Sequence, residues 1–191
     1  MAEMKLRLFT AHDAAQRCLS SGGAKWADFE LACLQLRKAI ELIGFSTMSA
    51  ELDAYRSVSN SFERDWNFAN ILRALRRVSP NSFPFSVQRE RSTAPGVDWH
   101  FVPQSEYAVD PSVLIEWHGR LNVHLHAANP YRATPDHQLM CLRIKSNVQD
   151  ISSFLSDHCF LRSDRAGGFL VSLNVRDAPV TLHQFGISDH V

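Results

Sequence analysis

The chain carries no net charge: twenty basic residues balance twenty acidic ones over 191 positions. A global field that would gather nucleic acid or an anionic membrane is thereby excluded, and any such contact has to come from a local patch. There is no apolar run of membrane-spanning length. The opening residues, MAEMKLRLFTAHDAAQ, mix acids and bases with a few apolar side chains and have no signal-peptide core. A soluble, cytoplasmic protein is expected. Cysteine is scarce, at positions 18, 33, 141 and 159, with no CxxC pair. With Cys33 on an apolar helical face, reduced core thiols are expected. HExxH is absent, as is any glycine-rich phosphate loop, since Gly22–Gly23 and Gly167–Gly168 are isolated pairs that suit turns. No repeat or low-complexity tract is visible.

What is present is helical periodicity. From Trp26 to Ala50, Phe29, Cys33, Leu36, Ile40 and Ile43 recur at alternating spacings of four and three. They form one continuous helix face that needs a core. Beside it Glu30, Leu34, Arg37 and Glu41 advance by four, three and four, stacking two carboxylates and a guanidinium along one side. A first helix from about Thr10 to Ser20 stops at Ser20-Ser21-Gly22-Gly23, and so short a connection predicts an antiparallel pair. MKLRLF before it reads either as a short strand or as the lead into that helix. After a polar, helix-compatible stretch, Phe68, Ile71, Leu72, Leu75 and Val78 predict another amphipathic helix. Its outer side carries Arg64, Arg73, Arg76 and Arg77, read as a solvated face rather than a binding patch. Pro80 and Pro84 end it.

Between Ser79 and Pro111 the composition shifts, with five of the eight prolines falling there. FSVQRE and VDWHFV flank Ala94-Pro95-Gly96, which predicts a hairpin-like insertion. A further helix starts at Asp110, as N-cap, and Pro111. Its core stripe is Leu114, Trp117, Leu121 and Leu125, and Asn129 and Pro130 close it. In the C-terminal third, QLMCLRIK, GGFLVSLNV and PVTLHQF alternate like strands, Val148–Phe160 reads as a helix, and the last two strands form a hairpin through Arg176, Asp177 and Ala178. The expected fold class is α+β. Residues 1–130 make a helical domain of four or five helices with the proline-rich insertion at 79–111, and residues 131–191 make a small βαββ unit packed on it.

The richest polar cluster is His118, Arg120, Asn122, His124 and His126. On an ideal helix Arg120 and His124 share one flank of the apolar stripe, while His118, Asn122 and His126 descend the other. Histidine titrates near neutrality and moves protons; arginine holds phosphate with fixed donors. Side by side they are the minimum set for transphosphorylation of RNA, where the substrate's own 2′-hydroxyl attacks its phosphate. No single helical face carries His118, His124 and His126 with zinc-ligand spacing, so no metal site is expected.

The helix FELACLQLRKAIELIGF, with glutamate before and after an arginine on one face, followed by Arg120 to His126 as R-x5-H near the end of the helical region, resembles the HEPN superfamily over about residues 10–130. Leu121 follows the arginine where members commonly place a polar residue, and Asn122 comes one position later. The resemblance implies a helical bundle, a homodimer, and a metal-independent, cofactor-free endoribonuclease of toxin or defence systems. In those terms Arg120 binds the phosphate and His126 is the catalytic histidine, with His124 as its substitute and Asn122, Glu30, Arg37 and Glu41 in support. A different class of function is a non-catalytic interaction module, an antitoxin, immunity or defence-complex subunit, which pairs with a partner protein through a helical face or sheet edge.

Overall fold

The computed structural model describes residues 1–59, 62–79, 83–126, 131, 135–163, 167–174 and 178–187. Among them are helices α1 (Ala2–Ser20), α2 (Trp26–Ala50), α3 (Leu52–Arg56), α4 (Phe68–Val78), α5 (Pro111–Val123) and α6 (His137–Phe154). The strands are β1 (Phe85–Arg91), β2 (Trp99–Pro103), β3 (Asp157–Leu161), β4 (Gly167–Ser172) and β5 (Thr181–Gly186). The fold is α+β, and no helix of the described residues is long and apolar enough to cross a membrane. Two compact units divide the chain, Met1–Ile43 with Asp110–Ser152, and Gly44–Val109 with Ser153–Val191.

The first unit is helical. MKLRLF belongs to α1, whose C-terminus is closed by Gly22 and Gly23 at φ 64° and 83°, a left-handed backbone that favours glycine. Arg17 bonds Asp28 close to this turn and Arg7 bonds Gln35 further out, so α1 and α2 run antiparallel. All five predicted core residues of α2 are buried, with Met4, Leu8, Ala11, Ala14 and Cys18 from α1. Helix α5 opens as predicted, with the Asp110 side chain accepting from the Ser112 amide at 2.6 Å and Pro111 in the first turn. It ends earlier than its sequence suggests. His124 N and Leu125 N donate to the carbonyls three residues before them, which tightens the last turn and leaves His124 as the C-cap. Asn129 and Pro130, the predicted stop, lie outside the described residues.

QLMCLRIK is not a strand but the start of α6. Asp136 accepts from the Leu139 amide at 3.0 Å, an N-cap directly after Pro135. Cys141, Ile144, Val148 and Ile151 then bury one face at helical spacing. The helix predicted to reach Phe160 stops at Phe154, and DHCFL forms β3. The C-terminal third therefore runs αβββ instead of βαββ.

The second unit is built on one antiparallel sheet of order β2-β1-β3-β4-β5. The predicted hairpin exists as β1 and β2, paired from Val87↔Pro103 to Arg91↔Trp99. It does not stand apart, because Phe85↔Cys159 and Ser86↔His158 join it to β3, so that β3 bridges the proline-rich segment to the C-terminal strands. β4 and β5 form the second hairpin; Arg176 and Asp177 of its predicted turn lie outside the described residues. Although β2 and β5 are opposite edges, the rings of Phe101 and Phe185 approach to 4.8 Å. The sheet is therefore strongly curled, with Val87, Cys159 and Leu170 on its concave floor. Phe68, Ile71, Leu72 and Leu75 of α4 are buried as expected, whereas the Val78 side chain lies outside the described residues. The α4 N-cap is Asn67, and Asp65 accepts from the hydroxyls of Tyr55 and Ser59, each at 2.7 Å.

Candidate functional site

The most connected polar group in the first unit joins α2 to α5. Arg37 and Glu41, one turn apart on α2, meet with Arg37 Nε 3.0 Å from Glu41 Oε1. His118 Nε2 from α5 lies 3.0 Å from the same oxygen and 3.2 Å from Arg37 Nε. A lone pair on Nε2 would face the carboxylate, so the consistent arrangement has Nε2–H and the arginine Nε–H both donating to Glu41 Oε1. Side-chain exposures of 23%, 17% and 20% leave all three mostly desolvated. In such surroundings a charge needs its partner. The group acts as a clamp between two helices, and its donors converge on a protein oxygen rather than on open space. The predicted Arg37–Glu41 line is thus real but shorter than drawn: Glu30 is exposed and joins no ion pair among the described residues.

The other predicted residues lie at the end of α5. Arg120 is 60% exposed and forms an ion pair with Glu116, one turn before it. His126 is exposed beyond the helix, so it does not descend the same helical flank as His118 and Asn122. His124 is half-buried, edge-on to Phe29 with ring centroids 5.2 Å apart. Burial, and secondarily the charge of His137, hold its pKa below the ordinary histidine value. His137, the first residue of α6, stacks on the same phenyl ring at 4.6 Å. Phe29 thereby fixes two histidines, and His124 is positioned by packing. Asn122 is partly buried on α5. Arg37, Glu41 and His118 are brought together; among the described residues no bond links Arg120 to His126.

His137 is absent from the residues singled out in the sequence, whereas His118 stands in the polar cluster without the role it takes here. His118 could have been found as the long-range partner of a glutamate-arginine step, but only with the α2–α5 pairing known. His137 gives no local signal. The four cysteines are free and buried, and burial pushes the thiols of Cys33, Cys141 and Cys159 up to about 12, which leaves them uncharged at neutral pH and poor nucleophiles. Among the described residues no group of three or more His, Cys, Asp or Glu side chains is placed to hold a metal ion. No family model, no curated protein and no solved structure matches the chain.

Proposed function

We propose that the protein is an HEPN-like, metal-independent endoribonuclease acting as a homodimer, with Arg120 holding the scissile phosphate and His126 moving the proton. The observation that supports this most is that the two side chains of the R-x5-H spacing are both solvent-exposed, close together in sequence at the end of α5, while the neighbouring His118 is committed to Glu41. An arginine in an exposed one-turn pair with Glu116 exchanges that weak partner for a phosphate at little cost. The 2′-hydroxyl of the substrate attacks its own phosphorus and displaces the 5′-oxygen of the following nucleotide, leaving a 2′,3′-cyclic phosphate. The 2′-hydroxyl gives up its proton and the departing 5′-oxygen gains one, a transfer in which the imidazole takes part while the guanidinium stabilises the charge that develops on phosphate.

The test is cleavage of single-stranded RNA in the presence of a chelator. Arg120→Ala and His126→Ala are each expected to slow cleavage by roughly 100-fold or more, with thermal unfolding unchanged because both side chains are exposed. Cleavage by both variants at the parent rate rejects the assignment.

The pairing of Arg120 with Glu116 favours a second reading, in which the helical scaffold is retained and the protein is a non-catalytic interaction subunit of a toxin or defence system. Absence of any RNA cleavage by the parent chain, together with a stoichiometric protein complex, would select it.

A further inference from the structure

The curled sheet of the second unit encloses a cup of about 830 Å³, within the range of about 300–1,000 Å³ usual for small-ligand sites. Register places its wall on one face of the sheet. Phe85 lies opposite Cys159, Cys159 opposite Leu170, and Leu170 opposite His183, while Arg89 lies opposite Phe101 and Arg91 opposite Trp99. Alternate residues along each strand share that face. The floor is apolar, and aromatic rings rise from it on β1, β2 and β5. Trp99 remains 39% exposed although it lines a cavity, and the Arg91 guanidinium sits 4.1 Å from its ring centroid. That contact holds the indole in place and uses one of its faces. The polar residues lining the cup include Arg89, Asp98, His100, His183 and Gln184. One Arg89 nitrogen, Nη2, reaches Asp157 at 3.3 Å, leaving the rest of the guanidinium fork for an anion.

We propose that this cup binds a nucleobase carrying a phosphate, either as a free nucleotide or as an unpaired nucleotide of an RNA strand. Ring and rim argue for it together. An acyl chain would match the apolar floor but would strip water from the Asp98 carboxylate, the His183 imidazole and the Arg89 donors that Asp157 does not take, and give them no partner, which is costly. A flat base stacks on Trp99 and Phe101, offers its amino edge to Asp98, and delivers its phosphate to Arg89 and His183. Stacking on aromatic side chains tolerates any base because every base has a π-face. The site lies wholly within the second unit and stands whether or not Arg120 and His126 cleave RNA.

The experiment is calorimetric titration of the full chain with AMP, with a short single-stranded oligoadenylate and with palmitate, repeated for Trp99→Ala and Arg89→Gln. AMP or the oligonucleotide is expected to bind at one site per chain. Trp99→Ala should weaken binding by roughly 5- to 100-fold, and Arg89→Gln should both weaken it and flatten its salt dependence. Trp99 is partly exposed on an edge strand, so both variants should keep the parent far-ultraviolet circular dichroism; Arg89→Gln alone decides the matter if Trp99→Ala does not. Tighter binding of the oligonucleotide identifies an RNA strand as the source, and equal or tighter binding of AMP identifies a free nucleotide. No saturable binding of either, binding that both variants leave unchanged, or binding of palmitate alone overturns the proposal.

Discussion

Acidification from neutral pH to about 4 is expected to remove about 3 kcal/mol of stability through His158 alone. This histidine sits on β3, on the sheet face opposite the cup, between Ser86 of β1 and Val171 of β4. It is completely buried, and its ring is edge-on to Phe160 at 5.3 Å. Nδ1 lies 3.0 Å from the Leu155 carbonyl oxygen, to which it must donate, so Nε2 is the unprotonated nitrogen. Among the described residues Nε2 has no hydrogen-bond partner. Charging the ring would create a cation away from water and a second N–H with nothing to receive it. Burial accordingly lowers its pKa from 6.5 to about 4, against the smaller opposing effects of the Leu155 carbonyl and the nearby Asp157 carboxylate. The direction of the linkage follows. Above 6.5 both folded and unfolded chains carry a neutral ring and His158 adds no pH dependence; below it the unfolded chain takes up a proton that the folded chain refuses, so stability falls until the folded pKa is reached. Carboxylates titrate over part of the same range, so the measurement is a comparison. Urea unfolding of the parent and of His158→Leu should show the variant less stable at neutral pH, because the Leu155 carbonyl loses its donor, but with a pH profile flatter by about 3 kcal/mol between 6.5 and 4. Parallel profiles would mean that water reaches His158 in the folded protein.

His158 also illustrates where sequence reading stopped. DHCFL carries an acid and a histidine and looks like a poor central strand. It becomes one because Asp157 accepts from Ser172 Oγ and pairs with Arg89, and because strands on both sides bury the rest. Those partners are distant in sequence, so no local pattern announces them. The same holds for α6, where the run Leu139-Met140-Cys141-Leu142 has no period of its own; Cys141 faces the core while Leu139 and Leu142 are 46% and 56% exposed. Local chemistry was legible wherever one face dominated. The α2 stripe, the Asp110-Pro111 start and the turn between β1 and β2 all follow from nearest neighbours along the chain. At the candidate site the Arg37–Glu41 step was visible from its one-turn spacing, whereas its completion by His118 depends on helix pairing. The cup could not be anticipated at all, since it arises from curvature across five strands.

Gly168→Ala is expected to destabilise the protein by about 3 kcal/mol or more, although it adds only a methyl group. The pair Gly167-Gly168 suits a turn by composition, yet both residues open β4. Gly168 lies opposite Leu161 on one side and Phe185 on the other. A Cβ at this position would fall 2.1 Å from the Phe160 carbonyl oxygen and 3.0 Å from Cζ of Phe185. The requirement is for space and not for an unusual backbone angle, because neither glycine is among those with positive φ. A side chain could rotate away from the new methyl, but a carbonyl within the β3–β4 ladder cannot move without loosening the pairing that connects the central strands. Phe185 would be displaced as well, opening the contact with Phe101 that closes the curled sheet. Gly119→Ala provides the matched comparison: it lies within α5, exposed, with none of the described residues inside 4 Å of the added Cβ. There the methyl only restricts the unfolded chain and suits the helix, so stability should rise by about 0.5–1 kcal/mol. Urea midpoints should therefore move in opposite directions for the same chemical change. A Gly168→Ala midpoint equal to that of the parent would show that β4 does not press this closely on its neighbours, and the closed curvature of the sheet would have to be redrawn.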